Sequence, residues 1–212
     1  MKNNLIILVR HLPTKLNKNG IYMGSKLDED IDVSDKRLAT FNKIISSMCQ
    51  SLELCNTNTT IVTSPLKRCL QTAEYIKKEL NTEEELKTML EFSETDMGEF
   101  SGKKMEQLIS EYRELVHLWA VEPLAMQFPN GESYVQVQKR VEDGLEELKT
   151  QSTSKAIILC THVDIIKIIL CEVLGMSFND RRNFDISNGS VSYIHKHPQA
   201  DRWLVGGINI DL

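Results

Sequence analysis

The ten residues LIILVRHLPT at positions 5–14 join an aliphatic run directly to two strongly polar side chains. Residues 6–9 are all aliphatic, and Arg10 and His11 follow them without a spacer. A short run of this kind is typical of a strand that is covered on both faces of a parallel sheet. Ligands of such sheets bind outside the carboxyl ends of the strands, where loops hold polar groups against a rigid scaffold. The stretch therefore predicts a buried strand that carries an arginine and a histidine into a binding site.

Two later segments repeat this arrangement. TTIVT at residues 59–63 is followed one turn later by Arg68, and AIILC at residues 156–160 is followed by Thr161 and His162. The carboxyl ends of parallel strands lie at the same edge of a sheet. We therefore expect two histidines and two arginines, from segments far apart in the chain, to converge at one place.

Helical patterns follow and separate these predicted strands. Apolar residues recur at helical spacing in five segments, at residues 36–52, 66–80, 105–119, 132–149 and 165–170. The alternation predicts an α/β fold, with a mainly parallel central sheet flanked by helices on both faces. Two alternating segments, at residues 191–194 and 203–210, are predicted to close the sheet.

The whole chain, residues 1–212, is predicted to form a single domain. A chain of 212 residues with 41% apolar and 26% charged residues can bury one large core. No repeat or linker rich in proline and glycine divides it. Residues 83–128 are predicted to form an insertion, aperiodic up to residue 104 and helical after it. We expect this helical insertion to lie over the C-terminal edge of the strands and to form part of the wall of the site.

Composition excludes several classes of protein. The net charge of −5 gives no basic surface for nucleic acid, so no nucleic-acid partner is expected. The apolar runs are too short for a membrane span, and no signal peptide is recognisable. Five cysteines, an odd number without a CxxC pair, predict free thiols in a reducing cytoplasm.

Two imidazoles and two guanidiniums indicate chemistry on phosphate. Arginine offers a planar fork that pairs with phosphate oxygens, so Arg10 and Arg68 together suit a dianion. A neutral imidazole is a nucleophile that can divide a displacement into two easier steps. Phosphoryl transfer needs positioning, stabilisation of the phosphoryl oxygens and a proton donor for the leaving group.

Five blocks of sequence resemble the motifs of a known family. They are RHLPT at residues 10–14 with Asn17, Gly20 and Gly24 after it, SPLKRCLQTA at 64–73, ETDMGEFSG at 94–102, PNGES at 129–133 and ILCTHV at 158–163. In these blocks, and in their order, the chain resembles the histidine phosphatase superfamily, also called phosphoglycerate mutase-like. The resemblance covers nearly the whole length and agrees with the chemistry expected from the strand ends.

This resemblance implies a role for six residues. His11 would be the nucleophile that becomes phosphorylated, and Glu94 would protonate the leaving oxygen and later deprotonate the attacking water. His162 would be the third catalytic residue and would stabilise the transition state. The substrate's phosphate would be bound by three side chains: Arg10, Asn17 and Arg68. The family requires no metal and no cofactor.

Some assignments have competitors. The carboxylates of Glu91, Asp96 and Glu99 lie near Glu94 in sequence, and the spacing to two later glycines favours Glu94. Glu132 fits a functional role and also a plain helix start, because a glutamate in the first turn complements the helix dipole.

The chain departs from the family at two glycines. Leu12 follows the first histidine and Val163 follows the second. Since glycine permits close approach and positive φ, larger residues imply either an ordinary backbone conformation or a reshaped pocket. His195 and His197 alternate on a predicted strand, but no acidic or cysteine partner is near them in sequence, so we expect no metal site there.

The predicted function is hydrolysis of a small phosphorylated metabolite, a phosphomonoester, through a phosphohistidine intermediate. Two alternatives stay open: a cofactor-dependent phosphotransferase of the phosphoglycerate mutase type, and a non-catalytic protein that binds phosphate esters. A mutase must rebind a bisphosphorylated intermediate, yet Arg113 is the only basic residue of the Lys or Arg type between residues 106 and 128. This favours the phosphatase. A homodimer formed through the apolar segment at residues 203–210 is a further expectation.

Overall fold

A six-stranded sheet runs through the computed structural model of the chain, which describes residues 5–34, 36–151 and 154–211. The strands are β1 (Leu5–Arg10), β2 (Thr59–Thr63), β3 (Lys87–Thr88), β4 (Ala156–Thr161), β5 (Val191–Lys196) and β6 (Trp203–Ile210). Their order across the sheet is β3-β2-β4-β1-β5-β6. The first four in this order are parallel, β5 is antiparallel to β1, and β6 is antiparallel to β5. The predicted α/β fold with a mainly parallel sheet is confirmed.

Helices cover this sheet. They are α1 (Lys15–Lys18), α2 (Lys36–Ser51), α3 (Lys67–Glu79), α4 (Met105–Val121), α5 (Tyr134–Gln151) and α6 (Val163–Leu174). The five longer ones correspond to the five helical patterns of the sequence. The prediction missed α1 and β3 because four and two residues are too few to show a period. It also began α5 two residues early, since Ser133 pairs with Gln127 in a β-bridge ahead of the helix.

Alternate residues of the central strands pack into two separate cores. Ile6 and Leu8 of β1 belong to the core beneath α4, α5 and α6, whereas Ile7 and Val9 belong to the core beneath α2 and α3. All four side chains are fully buried. This explains why β1 is aliphatic throughout, because each face of the strand meets a layer of helices.

The insertion is irregular at first and helical after residue 104. The glutamates at 83–85 are exposed, β3 adds a short parallel strand to β2, and 3-10 turns follow at Leu90–Phe92 and Gly98–Phe100. Aromatic side chains then join it to the core: the Phe100 and Phe128 ring centroids are 5.3 Å apart, and those of Phe128 and Tyr134 5.6 Å. These contacts pack the insertion together and join it to α5.

The cysteines within this fold are unpaired. Cys49, Cys69, Cys160 and Cys171 are buried, and Cys55 is partly exposed. Among the described residues, no helix combines the length and apolar character needed to cross a membrane.

Candidate active site

The ends of β1 and β4 bring two histidines together. The register of these parallel strands pairs Arg10 with Thr161, and the His11 amide donates a hydrogen bond to the Thr161 carbonyl at 3.0 Å. The ring centroids of His11 and His162 are consequently 5.3 Å apart, with the ring planes at 60°. Imidazoles from opposite ends of the chain thus lie at one edge of the sheet.

A cavity of about 260 Å³ opens at this edge. Five of the six residues singled out from the sequence line it, namely Arg10, His11, Asn17, Arg68 and Glu94. The sixth, His162, is fully buried and lies against the ring of His11 rather than in the cavity wall. Ligand pockets commonly measure about 300–1,000 Å³, so this cavity suits a small ligand.

His11 is oriented as a neutral imidazole with a free Nε2 lone pair. Its Nδ1 lies 2.7 Å from the Leu12 carbonyl oxygen, which can only accept, so Nδ1 carries the proton and Nε2 keeps its lone pair. Burial lowers the pKa of His11 well below its usual 6.5, and the positive charges of Arg68 and Arg10 add to this effect. The imidazole therefore stays unprotonated in neutral solution.

Arg68 is held in place by hydrogen bonds and an ion pair, and part of its guanidinium can still donate to a ligand. Only 1% of the residue is exposed. Its guanidinium donates to the carbonyl oxygens of Leu27 and Gly24, each at 2.9 Å, and pairs with Asp28 at 3.3 Å. Its Nε is buried and has no partner within the described residues.

Arg10 resembles Arg68 in this respect. Its guanidinium donates to the Ile186 carbonyl oxygen, while its buried Nε has no partner in the same set of residues. Burial lowers the pKa of Arg10 to about 10, so the group remains charged at neutral pH. Because buried donors are rarely left unpaired, two such arginines beside one cavity indicate a site for an oxyanion.

Asn17 reaches the cavity from α1. Thr14 caps this helix, and the Asn17 side-chain oxygen accepts from the Thr14 amide at 3.1 Å. This capping box fixes the Asn17 side chain with its oxygen engaged. Its NH₂ group has no partner among the described residues and can donate toward a ligand.

Glu94 enters the same cavity from the insertion. It is 8% exposed, and its Oε1 accepts from the Thr95 amide at 3.0 Å. Burial, followed by the negative charge of Asp164, raises the pKa of Glu94 from 4.5 to about 7. A carboxyl group with a pKa near neutrality can donate a proton in one step and accept one in the next. The competing carboxylates, Glu91, Asp96 and Glu99, are not part of the cavity wall.

A half-buried ion pair holds the segment that carries Glu94. The Arg140 guanidinium binds both carboxylate oxygens of Glu132, at 2.8 and 3.0 Å, and donates to the carbonyl oxygens of Glu91, Ser93 and Glu94. Glu132 in turn accepts from the backbone of the insertion, at the residue 96 amide. Glu132 lies before the first residue of α5, so the helix-start interpretation is wrong, and its carboxylate instead holds the segment that carries Glu94. Arg140 was missed because a single arginine on a helical surface has no distinctive sequence signal.

Two glycines allow this segment to lie against the turn at residues 128–132. Gly98 has φ +51, and a Cβ there would come within 1.9 Å of the Pro129 carbonyl oxygen. A Cβ on Gly131 would come within 2.4 Å of the Asp96 carbonyl oxygen. The two blocks ETDMGEFSG and PNGES are thus two sides of one backbone contact that sets the position of Glu94.

We expect Gly98→Ala to lower the free energy of unfolding by about 2 kcal/mol or more, because the new methyl group forces the two backbones apart. Gly175→Ala is the matched control, since Gly175 also has positive φ (+66) but has no atom within 4 Å of the added Cβ. There we expect a loss of only about 1 kcal/mol. Urea denaturation measures both. Equal losses in the two variants would contradict the proposed close contact.

His162 is buried by its neighbours on β2 and α3. Its Nε2 is 2.8 Å from the Ser64 hydroxyl and 3.4 Å from the Cys69 sulfur. Burial, and then the charge of Arg68, lowers the pKa of His162 well below 6.5. Ser64 was quoted in the sequence block but given no role, and the structure places it as the partner that orients His162.

The sequence matches one known family over most of the chain. The model of the histidine phosphatase superfamily (branch 1) matches residues 6–210. The chain belongs to this family. Phosphoserine phosphatase 1 from Hydrogenobacter thermophilus is 30% identical over 190 residues, which cover 90% of this chain and 85% of that protein. The chain is therefore a phosphatase of the histidine phosphatase type.

Solved structures share the fold at lower identity. The α-ribazole phosphatase from Shigella flexneri superposes with a TM-score of 0.79 and 18% identity, covering 97% of this chain and 96% of that one. A mycobacterial glucosyl-3-phosphoglycerate phosphatase superposes with a TM-score of 0.78 and 18% identity, covering 99% of this chain and 100% of that one. These likenesses show the histidine phosphatase fold with helices on a mostly parallel sheet.

The two family glycines are replaced without backbone strain. Neither Leu12 nor Val163 has positive φ. Leu12 is buried, and its amide donates to the Thr72 hydroxyl at 2.9 Å. Val163 begins α6 and lines the cavity. Leu12 thus packs into the core, whereas Val163 changes the wall that a substrate meets.

Metal binding has no support in the same region. The described residues contain no group of three or more His, Cys, Asp or Glu side chains placed to hold a metal ion. His195 and His197 are both partly exposed on or beside β5.

Proposed function

We propose that the protein hydrolyses small phosphomonoesters by way of a phosphohistidine on His11. The observation that carries this proposal is the placement of an unprotonated, correctly oriented imidazole beside two buried arginines with unpaired donors. A nucleophile, an oxyanion site and a proton donor then share one small cavity.

The first step forms the phosphoenzyme. Nε2 of His11 attacks phosphorus, and the bond from phosphorus to the ester oxygen breaks. Arg10, Arg68 and Asn17 bind the phosphoryl oxygens, and protonated Glu94 gives its proton to the departing alkoxide. His162 supports the His11 ring and the oxyanion site from behind.

The second step regenerates the enzyme. Glu94, now ionised, takes a proton from a water molecule whose oxygen attacks phosphorus. The bond between phosphorus and Nε2 breaks, and inorganic phosphate leaves. Glu94 ends protonated and His11 neutral, so both groups are ready for another cycle.

Charges in the cavity favour hydrolysis over mutase activity. Among the described residues that line it, the cations are Arg10 and Arg68, which one phosphate group occupies. Arg113, the single basic residue of the α4 segment, is exposed to solvent. A bisphosphate would need further cations, because unpaired phosphate charges are poorly accommodated beside the carboxylates of Glu94 and Asp164.

Other parts of the proposal concern the whole chain. We take residues 1–212 as one domain in which residues 83–128 form part of the site wall, since Glu94, Met97 and Trp119 line the cavity from that insertion.

The reduced, mostly buried cysteines suit the cytoplasm. The proposed homodimer would pair two copies of the edge strand β6.

Phosphate release tests the function directly. We expect the purified protein to release inorganic phosphate from small phosphomonoesters with EDTA present and without any bisphosphate primer. A mutase would need the primer and show little net release, and a binding protein would release none. Either outcome, or activity that EDTA removes, would contradict the proposal.

A further inference from the structure

Asp164 is a carboxylate in the cavity wall that the proposed reaction does not use. It lies two residues after His162, in the first turn of α6, and lines the same cavity as His11 and Glu94. A carboxylate placed beside a phosphate site is unfavourable for a ligand that is negative throughout. We therefore expect Asp164 to interact with a part of the ligand other than its phosphate group.

Two buried aromatic residues fix the orientation of Asp164. The Tyr134 hydroxyl donates to Oδ2 of Asp164 at 2.8 Å, and Nε1 of Trp119 donates to that hydroxyl at 2.9 Å. Tyr134 is fully buried. The carboxylate is thus held by a chain of hydrogen bonds that satisfies one of its two oxygens.

The other oxygen, Oδ1, is available to a ligand. Within residues 5–34, 36–151 and 154–211, Oδ1 makes no hydrogen bond and Asp164 forms no ion pair. Arg10, Lys167 and Arg181 act on it only at longer range. A half-buried carboxylate with a free oxygen is a strong acceptor for a charged donor.

Aromatic rings stand beside this carboxylate. Tyr22 and Trp119 line the cavity, with ring centroids 5.2 Å apart. The faces of such rings attract cations. The cavity lining therefore contains Arg10 and Arg68, which suit an anion, and also Asp164 with two aromatic rings, which suit a positive group.

We propose that the preferred substrates are phosphomonoesters whose alcohol part carries an ammonium group near the ester oxygen, and that Asp164 binds this ammonium. The proposal rests on the proposed function, since the phosphate must lie on the two arginines. The cavity volume of about 260 Å³ confines the alcohol part to a short chain. Small phosphorylated amino alcohols and phosphorylated hydroxy-amino acids have this chemistry.

Two matched pairs of substrates test the inference. O-phosphoethanolamine is compared with 2-hydroxyethyl phosphate, and O-phosphoserine with 3-phosphoglycerate, so that each pair exchanges an ammonium for a hydroxyl. We expect the wild-type kcat/KM to favour the amine about tenfold or more in each pair, because a charge-assisted bond is stronger than a neutral one. The second pair shows whether a carboxylate on the substrate is tolerated as well.

Asp164→Asn should bring both ratios close to one. Asparagine retains an acceptor for Tyr134, removes the charge, and replaces the ligand-facing oxygen with an NH₂ group that cannot accept from an ammonium. Asp185→Asn, at an exposed position outside the cavity wall, is the control and should leave both ratios unchanged. The ratio is the informative quantity, since a variant that acted only through Glu94 would change both members of a pair equally.

Three results would overturn the inference: a wild-type protein without preference for the amines, a preference that survives in Asp164→Asn, or an equal loss on both members of each pair. The first needs no variant and so does not depend on Asp164→Asn folding. After any of these three results, the proposed function would still hold if the protein hydrolysed 2-hydroxyethyl phosphate or 3-phosphoglycerate and this hydrolysis required His11. Failure to hydrolyse any ester would instead count against the proposed function.

Discussion

Replacing His11 with asparagine should reduce kcat for every phosphomonoester by about 10⁴-fold or more, because the bond between phosphorus and nitrogen can no longer form. Asparagine is smaller than histidine and keeps a donor that can reach the Leu12 carbonyl, so we expect the variant to fold. Arg10 and Arg68 remain, and the Michaelis constant should therefore change much less than kcat. Phosphate release at slightly acidic pH measures both parameters.

His117→Asn is the control for this substitution. His117 is an exposed residue of α4 and lies outside the cavity wall. The control should retain wild-type turnover, and thermal unfolding shows whether each variant is folded. A folded His11→Asn protein with more than about one hundredth of wild-type activity would exclude His11 as the nucleophile.

Replacing Glu94 with glutamine should affect the two chemical steps differently. For alkyl phosphates, whose leaving group needs a proton, we expect kcat to fall by about 10²–10⁴-fold. With 4-nitrophenyl phosphate the first step should persist, because nitrophenolate leaves without a proton. The second step, hydrolysis of the phosphohistidine, should stay slow because glutamine cannot take a proton from the attacking water. The variant should therefore release one equivalent of nitrophenol per protein in a rapid burst and then continue slowly.

The pH dependence follows from the same residue. The pKa of Glu94 is raised to about 7, so the acid form that protonates the alkoxide is present below this pH and is lost as pH rises through it. The rate of alkyl phosphate hydrolysis should fall on the alkaline side with an apparent pKa near 7. The phosphate group of an alkyl ester also titrates, with a pKa near 6, so the loss of the alkaline limb in Glu94→Gln with the same ester isolates the contribution of Glu94.

Glu91→Gln is the matched control for Glu94→Gln, since Glu91 is a competing glutamate of the same segment and lies outside the cavity wall. It should retain both wild-type turnover and the alkaline limb. If the limb persisted in Glu94→Gln and vanished in Glu91→Gln, the acid would have been assigned to the wrong residue.

Sequence patterns predicted the parts of this protein that depend on strong local signals. The aliphatic runs ending in Arg10 and His162 indicated buried parallel strands, and the sheet contains both. The convergence of their polar ends follows from topology, because parallel strands have a common carboxyl edge. The five longer helices were predicted for the same reason, since each buries an apolar stripe of adequate length.

Contacts between distant segments could not be predicted in this way. Arg140 binds Glu132 and three carbonyl oxygens of the Glu94 segment, yet its sequence position is that of any charged helix residue. Asp164 follows Val163 in the sequence and has no distinctive signal there. Its importance is visible once Tyr134 and Trp119, from α5 and α4, are seen to orient it. Such features depend on tertiary packing, for which the sequence has no short-range period.

Detection of the phosphoenzyme tests the central claim most directly. Glu94→Gln is mixed with 4-nitrophenyl phosphate, quenched in base within the burst, digested and analysed by mass spectrometry. We predict one phosphoryl group per protein, stable in base, labile in acid and located on His11. A phosphoryl group on any other residue, or hydrolysis by the wild type with no covalent phosphate trapped in either protein, would contradict the account.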